Sequence, residues 1–200
     1  MGKTAVTVSP ASPKRVWVLA EAEEGGLYRS DDGGRHWRHL GLENTHAIGR
    51  IRVHPTDPDV AYVAALGHPY GPNPERGVFR TTDGGRTWGE KFTMVENTAV
   101  INTMMPSLLR LQTGELALFY LKMEDLGDSR MFVRKSYDEG ETWTVSKVLF
   151  PGLAGYSDLA VLPDGTICCL YERGVAWPYE SIRLAQFNLE LLTDGADHLE

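Results

Sequence analysis

The sequence predicts an all-β fold, a β-propeller of four four-stranded antiparallel blades, and three observations carry that expectation. One turn sequence, Ser/Thr-x-Asp-x-Gly-x-x-Trp, occurs three times in the 200 residues. Short runs of alternating apolar and polar residues flank each copy, the period of half-buried strands. No stretch between them carries a helical period, which removes the parallel α/β folds. A β-sandwich would share the strands but gives no reason for one turn to recur at the same place in successive units.

The first blade, residues 4–45, places strands at 5–8, 15–20, 26–29 and 37–40 around the turn Ser30-Asp31-Asp32-Gly33-Gly34-Arg35-His36-Trp37. The second, 46–97, repeats this with strands at 51–54, 60–65, 77–80 and a fourth after Trp88, around Thr81-Thr82-Asp83-Gly84-Gly85-Arg86-Thr87-Trp88. Ser9-Pro10 and His54-Pro55 mark the same first hairpin in both. The third and fourth blades, 98–150 and 151–195, use a different first hairpin, Leu111-Gln112-Thr113-Gly114 and Leu162-Pro163-Asp164-Gly165, followed by strands at 115–121 and 166–171. Blade three keeps the turn as Ser136-Tyr137-Asp138-Glu139-Gly140-Glu141-Thr142-Trp143. Blade four has lost it: Phe187-Asn188-Leu189-Glu190-Leu191 stands in its place, with Leu191 about where the Trp would fall. Residues 1–200 are therefore expected to form one propeller domain, with 196–200 as a tail.

The residue types of the recurring turn explain its job. Asp and Ser/Thr side chains accept and donate hydrogen bonds to nearby backbone, while Gly supplies a positive φ. Ser30, Asp32, Gly34 and Trp37, then Thr81, Asp83, Gly85 and Trp88, then Ser136, Asp138, Gly140 and Trp143 form a structural set, each Trp expected to pack into the groove between blades. Regularly spaced further acidic ligands and a closing Glu are missing, so these are not calcium loops.

Composition bounds the function classes. Hydrophobic residues make up 42% and charged residues 24%, the profile of a globular chain. A net charge of −7 with both signs dispersed gives no basic stripe for a phosphate backbone, so no nucleic acid partner is expected. No run reaches the length of a membrane span, and MGKTAVTVSP lacks the apolar core of a secretory signal, so no membrane partner is expected and the chain reads as soluble. Cys168 and Cys169 are adjacent in an apolar run; in a strand they would point to opposite faces, and they read as reduced core thiols. The six histidines stand apart without metal-ligand spacing; no metal and no cofactor are expected. The segment Gly67-His68-Pro69-Tyr70-Gly71-Pro72-Asn73-Pro74 reads as a long loop, more a cover for the ring mouth than a binding element.

The recurring turn resembles the Asp-box, or BNR motif, of sialidases and related propellers. Residues 5–92, with GLYRSDDGGRHW, VHPTDPDVAYVA and GVFRTTDGGRTW, resemble BNR-repeat proteins of glycosyl-hydrolase type. From Met104 onward, SLLRLQTGELALFY, VRKSYDEGETW, GYSDLAVLPDGTICCLYE and FNLEL resemble exo-α-sialidases. Because the first hairpin changes between blades two and three, the chain is read as a recombined or engineered assembly of the two. Family sialidases have six blades, so the resemblance implies that four blades close alone or that a homodimer completes a larger ring.

The same resemblance implies site residues. Tyr156, in Gly155-Tyr156-Ser157-Asp158-Leu159, matches the catalytic nucleophile. Glu172, closing Cys169-Leu170-Tyr171-Glu172, matches the carboxylate that positions an active-site arginine. For the acid/base the sequence does not match the family; Asp125 or Asp128, after the second strand of blade three, is the candidate by position, with Lys122 where an arginine is wanted. A tyrosine with an ordinary pKa near 10 needs a carboxylate base, and no glutamate in the sequence is assigned to that role. The early Arg-Ile-Pro motif is missing, and Arg110, Arg134 and Arg173 read as surface charges rather than a carboxylate clamp. The plainer reading makes Tyr156 a first-strand aromatic and Glu172 a rim charge. Three functions stay open: a sialidase-like scaffold without efficient catalysis, which is preferred; an exo-α-sialidase-like hydrolase; and a propeller that binds a glycan ligand or a protein.

Overall fold

A computed structural model describes residues 4–20, 25–44, 47–67, 74–92, 102–125 and 128–197. The chain divides into two compact units, 1–94 and 95–200, and the division falls where the first-hairpin sequence changes.

The first unit holds two antiparallel sheets. One is ordered β1 (Thr4–Val8), β2 (Val16–Ala20), β3 (Gly26–Ser30), β4 (Arg38–His39); the other β5 (Ala47–Val53), β6 (Ala61–Gly67), β7 (Gly77–Thr81). Their core is Trp17, Leu19, Leu27, Leu40, Ile51, Ala61 and Val63, the inward positions of alternating strands. Among the described residues, which stop at Phe92 here, the expected fourth strand of blade two is represented by one bridge, in which Phe92 N–H donates to Val78 O at 2.8 Å. Charge joins the two sheets as well. Arg15 reaches Asp31 at 2.7 Å and Asp59 at 2.5 Å, and buried Arg29 reaches Asp31 at 2.8 Å and donates to the carbonyl of Gly84. Desolvation raises the Asp31 pKa, but the hydrogen bonds from Arg15 and Arg29 outweigh it and hold the carboxyl below its ordinary range.

The second unit is also two sheets: β8 (Asn102–Arg110), β9 (Leu116–Asp125), β10 (Asp128–Ser136), β11 (Val145–Phe150), and β12 (Ala154–Val161), β13 (Ile167–Arg173), β14 (Ser181–Phe187). Phe119, Met131, Val133, Ile167, Cys169 and Leu192 are among its buried core. Blade four has three strands here, a correction to the expected four. In place of the fourth stands α1 (Leu189–Thr193), started by Asn188, whose side chain accepts from Leu191 N–H at 2.9 Å. Without Ser/Thr, Asp and Gly at box spacing, the chain turns into a capped helix rather than back into the sheet. Leu191, expected in the Trp position, is 52% exposed, while Leu189 and Leu192 fill the core. Asp197 is no loose tail either: it accepts from the buried ammonium of Lys135 at 2.6 Å and from the Tyr137 hydroxyl. Lys135 lies 4.1 Å from the Tyr137 ring centre. Desolvation and the Asp197 carboxylate push the Tyr137 pKa up to about 12.

The three boxes are built as their residue types imply. Ser30, Thr81 and Ser136 each accept from the Gly N–H four residues on, at 2.8, 2.9 and 2.8 Å. Asp83 and Asp138 accept from the backbone N–H and the hydroxyl of Thr87 and Thr142. In the first box His36 takes the Thr part, its Nδ1 2.5 Å from Asp32 Oδ2. The tryptophans behave differently from expectation. Of the three box tryptophans, Trp88 hydrogen-bonds across to another blade, its indole N–H donating to Leu40 O at 2.8 Å; Trp37 and Trp143 donate to Gly34 O and Gly140 O of their own turns. The cysteine reading is half corrected: Cys169 is buried, and desolvation pushes its thiol to about 12, whereas Cys168 on the opposite face is partly exposed. Among the described residues, no helix is long and apolar enough to cross a membrane.

Candidate functional site

The first strands of blades two, three and four each break register near their start, between Ile48 and Arg50, Met104 and Ser107, and Ala154 and Ser157. A bulge at this place re-aims the side chains that it carries. In blade four the bulge holds Gly155 and Tyr156, and in blade three Met105 and Pro106 occupy the matching positions. Tyr156 is therefore set apart by its side chain and not by its backbone. The pairing frame hid the bulges from the sequence, since the alternation reads on through them.

Glu172, near the end of β13, returns to the same spot. Its Oε2 accepts the backbone N–H of Tyr156 at 3.1 Å. Gly155 makes room for this: a Cβ there would stand 2.7 Å from Glu172 Oε2 and 2.7 Å from the Tyr179 ring. The Tyr156 and Tyr179 rings stack with centroids 6.3 Å apart at 26°. Tyr156 is half exposed and Glu172 partly buried. Two of the three residues singled out by the sequence thus meet. The third, Asp125, ends β9 and pairs in register with Asp128 across the turn, and the side chains of both lie outside the described residues. Residues 68–73 of the long blade-two loop lie outside them as well.

The arginines singled out by sequence have other partners in their unit. Arg110 forms a two-pronged pair with Glu139, at 2.8 and 2.9 Å, beside the third Asp-box. Arg134 Nε donates to the Tyr120 hydroxyl at 3.3 Å, and the Arg173 guanidinium lies 4.3 Å from the Phe150 ring centre. Another arginine concentration went unnoticed in the sequence. Arg52, Tyr62 and Arg80 stand in register across β5, β6 and β7, and Arg50 shares their face. Burial lowers Arg50 from its ordinary value and, with repulsion from Arg50 added, lowers Arg52 to about 10. Alternation placed these side chains on one face; their partial burial was not readable, because strand patterning says which residues share a face and not what covers it. Among the described residues, no three His, Cys, Asp or Glu side chains group so as to hold a metal ion.

No protein-family model matches the chain. In an alignment of 178 positions that covers 82% of this chain, it is 32% identical to a sialidase of Micromonospora viridifaciens, of which it spans 25%. Among solved structures, it is similar to the GH74 xyloglucanase from Xanthomonas campestris, with TM-score 0.64 at 15% identity over 96% of this chain and 29% of that one. It is also similar to the NanB sialidase from Streptococcus pneumoniae, with TM-score 0.59 at 16% identity over 94% of this chain and 31% of that one. At such identities the structural likenesses establish the β-propeller fold alone.

Proposed function

We propose that this sialidase homologue is a glycan-recognising propeller segment that keeps the tyrosine–glutamate part of a sialidase-type site and does not by itself turn substrate over efficiently. One observation carries the reading: Glu172 accepts from the backbone of Tyr156 at 3.1 Å, holding the strand bulge that presents the tyrosine rather than holding an arginine. Hydrolysis through a tyrosyl intermediate would need a base for the phenol and a cationic clamp for the substrate carboxylate. Arg110, the arginine closest to an ideal clamp in its two-pronged geometry, spends that geometry on Glu139. The chain spans a quarter of the length of the sialidase relative that it matches.

A fluorogenic sialoside tests the reading. The expected outcome is no release of fluorophore above the uncatalysed rate, with Tyr156→Phe indistinguishable from the parent chain. Turnover that disappears in Tyr156→Phe would instead establish the hydrolase, in keeping with the 32% identity to a sialidase.

A further inference from the structure

Losing the fourth Asp-box leaves one strand edge of blade four open. Among the described residues, the third strand of each other blade has a neighbour on its outer side: β4 beside β3, Phe92 beside β7 and β11 beside β10. β14 pairs with β13 alone. The helix α1 that follows it is drawn to β11 instead, where Lys147 Nζ donates to Leu191 O and pairs with Asp194. An open edge presents unpaired N–H and C=O groups, and folds blunt such edges with proline, a bulge or several charges. The sequence of β14, SIRLAQF, has neither proline nor glycine, and its register with β13 runs unbroken from Ser181–Arg173 to Phe187–Ile167. Arg183 is its one charge. Ile182 and Leu184 are exposed apolar side chains on the face that they share with exposed Leu170.

We propose that β14 is the contact strand of a symmetric dimer, pairing antiparallel with β14 of a second copy of this chain. The strand is complementary to itself about Leu184, its middle residue. With a two-fold axis there, Leu184 meets Leu184, Ile182 meets Gln186, Arg183 meets Ala185 and Ser181 meets Phe187. Leu170 already stands opposite Leu184 within each chain. A row of four leucines therefore crosses the joined sheet, each covering the flank of the next. Charge fixes the same register, because an axis centred on Arg183 would set two guanidinium groups directly opposite each other. None of the acidic residues behind the net charge of −7 lies on this strand, so repulsion between copies is kept off the contact. The pairing stands apart from the glycan reading, since neither Tyr156 nor Glu172 belongs to the contact strand.

Disulfide trapping at single introduced cysteines, in the full chain carrying Cys168→Ser, tests the pairing. Only the residue on the axis faces its own copy at the Cα separation of about 5 Å that a disulfide spans. Leu184→Cys is expected to give a disulfide-linked dimer with oxidised glutathione. Ile182→Cys, also exposed but set opposite Gln186, is expected to give roughly tenfold less, its two copies lying beyond disulfide reach. Leu184→Lys sets two ammonium groups across the axis. It is expected to lower the light-scattering mass from about twice 22.2 kDa to 22.2 kDa, with the far-ultraviolet circular dichroism unchanged. Equal trapping at positions 182 and 184 would overturn the strand pairing in favour of a contact between sheet faces. A parent mass of 22.2 kDa at every concentration would overturn the dimer itself.

Discussion

Asp138 accepts from the Thr142 hydroxyl at 2.6 Å, from Thr142 N–H at 2.8 Å and from the Ser136 hydroxyl at 2.7 Å. These bonds favour the ionised carboxylate and lower its pKa from 3.8 to about 2. A carboxyl with a depressed native pKa contributes stability that is complete above its unfolded pKa and is lost as the pH falls through the native one. The unfolding temperature of Asp138→Asn should therefore lie below the parent's at pH 7, and the gap should close between pH 4 and pH 2. A gap of constant size over that range would mean that the carboxylate charge is not what the turn uses. Most of this residue-scale detail was legible in the sequence, because every partner lies within four residues. His36 shows the limit, since only geometry reveals that an imidazole reaches Asp32 where a Thr would.

At the scale of the element, the Asp-box must also fit its neighbours. Gly33 and Gly85 both have positive φ, +77° and +84°, but a Cβ on Gly33 meets nothing within 4 Å, while one on Gly85 would stand 2.6 Å from Leu40 Cδ1 and 3.1 Å from Trp17. Gly33→Ala is expected to cost about 1 kcal/mol for its left-handed backbone. Gly85→Ala adds overpacking against two buried side chains and is expected to cost about 3 kcal/mol in denaturant unfolding. Equal losses would show that blade contact at Gly85 carries no weight. Gly33 and Gly85 stand one position apart in the box, and what a Cβ at each would meet is set by the neighbouring chain, so the sequence could not rank them. The loss of the fourth box was legible, but the capped helix that replaces it was not recognised, since Asn188 becomes an N-cap only once Leu189 and Leu192 have a core to enter.

For the whole molecule, the exposed apolar face of β13 and β14 yields a prediction about association. Leu170 and Leu184 pair in register and are 47% and 57% exposed, with Ile182 at 65% on the same face. Apolar strand faces of this kind are covered in propellers by the next blade. Light scattering on a gel-filtration peak is expected to give about twice 22.2 kDa, as two chains cover these faces mutually. A mass of 22.2 kDa at every concentration would mean that this face stands in water, and Leu184→Ser would then leave solubility unchanged.

The sequence by itself determined the all-β class, the blade units and the chemistry of the box, because strand alternation and a turn of eight residues are local properties. It also named Tyr156 and Glu172, by resemblance. That these two meet, with Glu172 on the Tyr156 amide 16 residues away, was decided by tertiary structure: a bulge in β12 sets the approach, and bulges leave no mark in composition or period. The same holds for the Arg15–Asp59 and Lys135–Asp197 pairs. A charge's partner across 44 or 62 residues is chosen by packing, and no local pattern encodes it.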